Sequence, residues 1–205
     1  MHDTAYLIGR AFFDTYVRPG DRVLEIGSMN VNGSLRDFRP AASAYVGVDL
    51  QSGAGVDVVV HRISQLPFAA DSFDVVVTSS CFEHDAMFWV TFLEICRVLK
   101  AGGYLYVNAP SKGEYHRYPI DAWRFFPDAG IALRDWARRN DYDMNLLESF
   151  IAERITGNFG DCVMVFGKGA YPPPVLLAQR YTAVLNARAW PNLETIARES
   201  ALWPG

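Results

Sequence analysis

Five short apolar runs set the fold class of this chain. Residues 22–26, 44–48, 56–60, 73–78 and 104–107 are rich in Val, Ile and Leu, and their apolar residues are continuous rather than alternating. Strands buried on both faces look like that, and double burial belongs to parallel sheets. Between the fourth and fifth runs, Phe88, Phe92, Ile95 and Leu99 recur at helical spacing, with Glu94 and Arg97 opposite and Ala101-Gly102-Gly103 as a stop. Residues 128–139 predict a second helix, residues 4–17 an amphipathic first one, and residues 34–38 a shorter one. Strands alternating with helices give an α/β domain around a mostly parallel sheet, helices on both faces. Residues 144–151 and 161–167 read as two further strands, separated by too few residues for the dozen or so that a parallel crossover needs. They pair antiparallel or are not neighbours. After Tyr171-Pro172-Pro173-Pro174, residues 175–188 and 192–202 predict two appended helices.

Composition narrows the function classes. The 205 residues carry 19 basic and 23 acidic side chains, a net charge of −4, and 50% are hydrophobic. That excludes a disordered chain. Without a Lys/Arg patch, and with the wrong net sign, nucleic acid is a poor partner. No apolar run approaches the roughly 18 residues of a membrane span. Asp3 and Asp14 interrupt any secretory signal, and the three cysteines lack CxxC spacing. A cytoplasmic protein with reduced thiols is expected.

The first run opens a glycine loop, Glu25-Ile26-Gly27-Ser28-Met29-Asn30-Val31-Asn32-Gly33. A strand leading into such a loop starts a nucleotide-binding βαβ unit. The dinucleotide fingerprint GxGxxG needs glycines two and five residues after Gly27, where Met29 and Asn32 stand. A methionine Cβ obstructs the approach of a pyrophosphate. S-adenosylmethionine has no phosphate and tolerates a looser loop. Asp49, 22 residues after Gly27, can take two ribose hydroxyls, and the charge of Glu25 suits a cationic amino-acid end.

Val23-Leu24-Glu25-Ile26-Gly27-Ser28 resembles motif I of class I S-adenosylmethionine-dependent methyltransferases. Leu66-Pro67-Phe68 with residues 71–76, Phe82-Glu83-His84, and residues 94–103 resemble that family's later motifs, in order and closest to its type 11 subgroup. The resemblance covers about residues 20–168. It implies a Rossmann-like, seven-stranded, mostly parallel sheet with an antiparallel last strand. It also implies that Glu25, Gly27 and Ser28 line the methionine part of the cofactor. Asp49 then binds its ribose, Leu50 packs on adenine, the main chain near Ile63 meets the adenine edge, and Ser79 lies near the sulfonium. Three positions depart from the family pattern: Met29 in motif I, His61-Arg62 where an acidic residue often follows strand three, and Ala101 in place of a proline.

Substrate chemistry is expected from residues 110–126, which leave the fifth strand at its carboxyl end in a long loop. Its Tyr115, Tyr118, Asp121, Trp123 and Arg124 are the candidate substrate contacts, and its string resembles a segment of type 11 enzymes linked to sugar or natural-product modification. A hydroxyl nucleophile must lose a proton, for which histidine is the natural base. His116 is the first candidate, with Asp121 to orient it, and His84 the second. Glu83, His84 and Asp85 are adjacent in sequence without a spaced ligand set, so no metal is assigned.

The expected activity is methyl transfer from S-adenosylmethionine to a small-molecule acceptor, a hydroxyl of a sugar or natural product. The alternatives are a non-catalytic binding module of the same fold and an NAD-linked oxidoreductase. The domains expected are an N-terminal helix over 1–19, which serves as a lid or packs on the sheet edge, the cofactor-binding domain over 20–168, and a helical appendage over 169–205. Leu176, Leu177, Tyr181, Trp190 and Trp203 in that appendage either dock on their own domain or bury against a second subunit, and of the two a homodimer is expected.

Overall fold

The computed structural model describes residues 3–152, 158–173, 175–180 and 184–189. Eight strands form one sheet: β1 (Arg22–Ile26), β2 (Ala44–Asp49), β3 (Val58–Val59), β4 (Phe73–Ser79), β5 (Leu99–Lys112), β6 (Met144–Ala152), β7 (Gly160–Lys168) and β8 (Val184–Ala189). Their spatial order is β3-β2-β1-β4-β5-β7-β6-β8. The pairings from β3 through β5 are parallel, and those joining β5, β7, β6 and β8 are antiparallel. The short connection between β6 and β7 thus makes an antiparallel pair, the first of the two arrangements that its length allows.

Among the described residues four helices accompany the sheet: α1 (Asp3–Tyr16), α2 (Phe88–Val98), α3 (Asp128–Arg139) and the single turn α4 (Leu177–Arg180). A short 3-10 turn replaces the weak helix expected over 34–38, with Ser34 capping it by accepting from the Arg36 amide. On one face α2 and α3 bury Phe92, Ile95 and Leu133 against Leu24, Val76, Leu105 and Phe166. On the other, α1 buries Ile8, Phe12, Phe13 and Tyr16 against Val23, Val75, Val77 and Tyr106. Each such side chain contributes about 1.5–3 kcal/mol by leaving water. The continuity of β4 now has its reason, since Val75 and Val77 face one layer and Val76 the other.

The chain ends differ from expectation. The helix predicted over 175–188 shrinks to α4, and Val184–Ala189 pairs with β6 as an eighth strand. An open strand edge offers backbone hydrogen bonds that short-range helical spacing does not register. Leu177, expected in an exposed patch, is fully buried; residues 181 and 190–205, with Trp203 among them, lie outside those described. Glu148, with no exposed surface, accepts from the Tyr16 hydroxyl at 2.5 Å and from the Leu177 and Ala178 amides at 2.9 and 2.8 Å. It ties α1, β6 and α4 together in the interior. Thus α1 is a core layer on the sheet face; its Tyr6 hydroxyl bonds Asp37, and neither Tyr6 nor Tyr16 lines the cavity described below.

Candidate active site

A cavity of about 780 Å³ opens at the carboxyl ends of β1, β2, β4 and β5. Strand order reverses there, with β2 on one side of β1 and β4 on the other, which is where open α/β sheets take ligands.

The floor is the loop after β1. Gly27 has φ +73°, and a Cβ on it would lie 2.8 Å from the Cys81 Cβ, so glycine lets this turn pass against the loop after β4. The Gly27 and Ser28 amides donate to the Val48 carbonyl at 3.0 and 3.1 Å. Asp49, closing β2, accepts from the Met29 amide at 3.0 Å and from the Leu50 amide at 2.7 Å. The Asn30 amide donates to Ala54, and its side-chain oxygen accepts from the Gly33 amide at 2.9 Å. A loop without the second and third fingerprint glycines is therefore held by bonds from its own asparagine, from Asp49 and from the strand beside it.

Polar groups in this floor are short of partners. Glu25 is buried and accepts from the Tyr45 hydroxyl at 2.8 Å; desolvation outweighs that bond and the Arg36 charge and pushes its carboxyl up to about 7. The hydroxyl oxygens of Ser28 and Ser79 are buried in the wall with no hydrogen-bond partner among the described residues. Leaving each so costs about 1–3 kcal/mol unless a ligand completes it. A carboxylate, two unpaired hydroxyls and a glycine cradle fit the ammonium, hydroxyls and close sulfonium of S-adenosylmethionine.

The opposite wall is built from two loops stitched together. After β4, a 3-10 turn (Phe82–His84) presents Glu83 and His84. After β5, residues 113–126 fold back so that the Ala122 amide donates to the Glu83 carbonyl at 2.8 Å and His84 Nδ1 meets the Ile120 carbonyl. Asp121 holds this loop: Arg124 donates to both its oxygens at 2.5 and 2.7 Å, and the His116 amide donates at 2.8 Å. Those donors, led by Arg124, hold its carboxyl well below the usual carboxylate range. The His116 ring stands edge-on to His84 with centroids 5.0 Å apart. Burial lowers the pKa of His84, against the bond to the Ile120 carbonyl and the Asp121 charge. Glu83 is 1% exposed; desolvation pushes its carboxyl up to about 8, and its Oε2 has no hydrogen-bond partner among the described residues.

Every residue expected at the cofactor, namely Glu25, Gly27, Ser28, Asp49, Leu50, Ile63 and Ser79, lines this cavity, as do His84 and His116. Tyr118 lines it too, its hydroxyl 3.9 Å from the Met29 sulfur. Tyr115, Asp121, Trp123 and Arg124 do not. Tyr115 is 71% exposed, Asp121 and Arg124 brace the loop, and Trp123 donates to the Asp85 carbonyl at 3.0 Å while packing on Phe88 and Trp89. Glu83 and Asp161 also stand in the wall, outside the expected site residues. Glu83 lies in the motif Phe82-Glu83-His84, where the sequence singles out only its neighbour His84. Asp161 had no signal: it reaches the wall because β7 pairs with β5, setting it opposite Pro110. The fold brings His116 beside Glu83 and His84, and one ligating atom from each lies within 4.8 Å of the other two.

Comparison with known proteins agrees with this architecture. Residues 24–107 match the type 11 family described as "Methyltransferase domain". A fatty-acid O-methyltransferase of Mycolicibacterium smegmatis is 35% identical over 130 residues, 56% of this chain and 45% of that protein. A phthiotriol/phenolphthiotriol dimycocerosates methyltransferase of Mycobacterium ulcerans is 32% identical over 138 residues, 58% of this chain and 47% of that protein. The chain thus spans about half the length of the curated relatives it matches. Among solved structures, the 1,6-didemethyltoxoflavin-N1-methyltransferase of Burkholderia thailandensis, which holds its substrate and S-adenosylhomocysteine, superposes with a TM-score of 0.66 at 15% identity, covering 81% of this chain and 78% of that one. At that identity the likeness speaks for the fold. The motifs in their order, the sheet and the match over residues 24–107 together make this chain similar to the class I S-adenosylmethionine-dependent methyltransferases of the type 11 subgroup.

Proposed function

We propose that the protein transfers a methyl group from S-adenosylmethionine to an oxygen of a small-molecule acceptor, a hydroxyl of a sugar or natural product. One observation carries this reading: a single cavity joins Glu25, Asp49 and Ser79 to two histidines that come from different loops. When bound, the cofactor supplies an electrophilic methyl. Glu25 would hold its ammonium, Asp49 its ribose hydroxyls, and the Ser28 and Ser79 hydroxyls the groups between. His116 and His84 form the acceptor end. A neutral imidazole there takes the acceptor's proton as the oxygen approaches the methyl carbon, and general-base help of this kind is worth about 10²–10⁴-fold. The stitched loops hold that base in place and limit water on one side.

A second acceptor class has its own support. The M. smegmatis relative is named for fatty acids, and the exposed apolar residues Val31, Leu50, Met87 and Tyr118 rim this cavity. A fatty-acid carboxylate is already ionised at neutral pH and needs no base. The test is a radiolabelled methyl-transfer assay on sugars, phenols and fatty acids, run with the wild-type chain and with His116→Ala and His84→Ala. Hydroxyl transfer should fall by about 10² or more in the responsible variant. Transfer to fatty acids alone, indifferent to both substitutions, rejects the hydroxyl reading; S-adenosylhomocysteine failing to bind while NAD binds rejects methyl transfer altogether.

A further inference from the structure

We propose that Glu83, His84 and His116 form a binding site for a first-row divalent metal ion such as Zn²⁺ in the wall of the cavity. One ligating atom from each lies within 4.8 Å of the other two, and His84 Nε2 is 3.7 Å from Glu83 Oε1. Ligands about 2.1 Å from a tetrahedral ion sit roughly 3.4 Å apart, so small side-chain rotations close the set.

Three independent features prepare it. Glu83 is 1% exposed, yet its Oε2 has no hydrogen-bond partner among the described residues. The nearby guanidinium, Arg124, is committed to both oxygens of Asp121. A buried carboxyl left this way keeps its proton unless a cation joins it. Both imidazoles, next, are oriented as metal ligands are. Nδ1 of His84 meets the Ile120 carbonyl, and Nδ1 of His116 lies 3.1 Å from the Glu114 carbonyl. A carbonyl only accepts, so each Nδ1 carries the hydrogen and each Nε2 keeps the lone pair, the arrangement that supporting carbonyls impose on metal-bound histidines. Finally, the Asp121–Arg124 brace and the Ala122 bond to Glu83 fix the two contributing loops against each other. Two nitrogens and one carboxylate select a borderline ion such as Zn²⁺ over Mg²⁺ or Ca²⁺, which prefer oxygen sets.

Three protein ligands leave at least one coordination position for a molecule in the cavity. An acceptor with an oxygen donor suits it, and the ion would lower the pKa of that oxygen; with metal bound, both Nε2 lone pairs are engaged and the ion takes the place of the imidazole base. This acceptor role rests on the methyl-transfer reading; the metal site itself does not. Zn²⁺ titrated calorimetrically into the full chain, stripped with a chelator, should bind one ion per chain. His84→Ala, His116→Ala and Glu83→Gln should each weaken it by more than the roughly 10–100-fold that loss of a mere supporting partner costs. S-adenosylhomocysteine affinity in the same variants serves as the check on folding. The wild-type chain gives a second readout: Zn²⁺ should shield His84 and His116, but not His61, from diethyl pyrocarbonate, as read by peptide mass spectrometry. Equal modification with and without Zn²⁺, or no Zn²⁺ binding by a chain that binds S-adenosylhomocysteine, overturns the proposal. Zn²⁺ binding by a chain that does not bind S-adenosylhomocysteine keeps the metal site and rejects the methyl-transfer reading instead.

Discussion

Acidifying the medium from about pH 7.5 to about pH 6 should weaken S-adenosylhomocysteine binding about eightfold through Glu25 alone, close to 1.3 kcal/mol. Burial pushes the Glu25 carboxyl up to about 7, with the Tyr45 hydroxyl and Arg36 opposing. If the ligand's ammonium binds only the ionised carboxylate, the free protein must first release a proton. That cost is small above pH 7 and grows tenfold per unit below it. The ligand-free protein feels the opposite sign. A carboxyl whose folded pKa lies above its unfolded one adds stability at low pH, and the contribution is lost as pH rises through about 7. The full difference is about 3 kcal/mol, an upper figure for a group with some solvent access. Glu25→Gln removes both effects: it should flatten the pH dependence of binding and cost about 1.5–3 kcal/mol of affinity, as expected for a lost hydrogen bond to a charge. Calorimetric titration at the two pH values, wild type against Glu25→Gln, measures all of this. A variant that keeps the wild-type pH dependence would show that Glu25 does not meet the ligand.

Three further outcomes are expected. Asp49→Ala should weaken S-adenosylhomocysteine by about 1–3 kcal/mol by equilibrium binding, since it loses the ribose contact and frees the Met29 and Leu50 amides; unchanged affinity would remove Asp49 from the site. Gly27→Ala places a Cβ 2.8 Å from the Cys81 Cβ at φ +73°, so a thermal melt should show a loss of about 1–3 kcal/mol. Tyr16→Phe strips one of three donors from buried Glu148, for about 1.5–3 kcal/mol and a melting point several degrees lower, while S-adenosylhomocysteine binding is retained.

The parts of the fold that were legible in the sequence are those set by local pattern. Residues 128–139 form α3 with those bounds, because the apolar stripe and the solvated arginines repeat at helical spacing. The cavity position of the residues expected at the cofactor was legible because one strand end and one loop carry Glu25, Gly27 and Ser28, and the next strand end carries Asp49. What stayed hidden depends on partners distant in sequence. β8 forms because β6 leaves an edge to pair with, which no spacing within residues 184–189 announces. His116 meets His84 only after two loops fold together, 32 residues apart in the chain. Trp123 and Arg124 have the composition of a binding loop but serve as its scaffold, a distinction drawn by the Asp85 and Asp121 atoms they contact.

The clamp at Glu148 has a consequence for how the chain can be divided. Cutting after Tyr171, before the turn that supplies two of the three donors among the described residues, would leave a carboxyl in a dry interior with one of those donors, the Tyr16 hydroxyl. The first helix and the last described segments are thus not trimmings around an independent core. They close a single circuit through it, and the frame that presents the cavity depends on both being present.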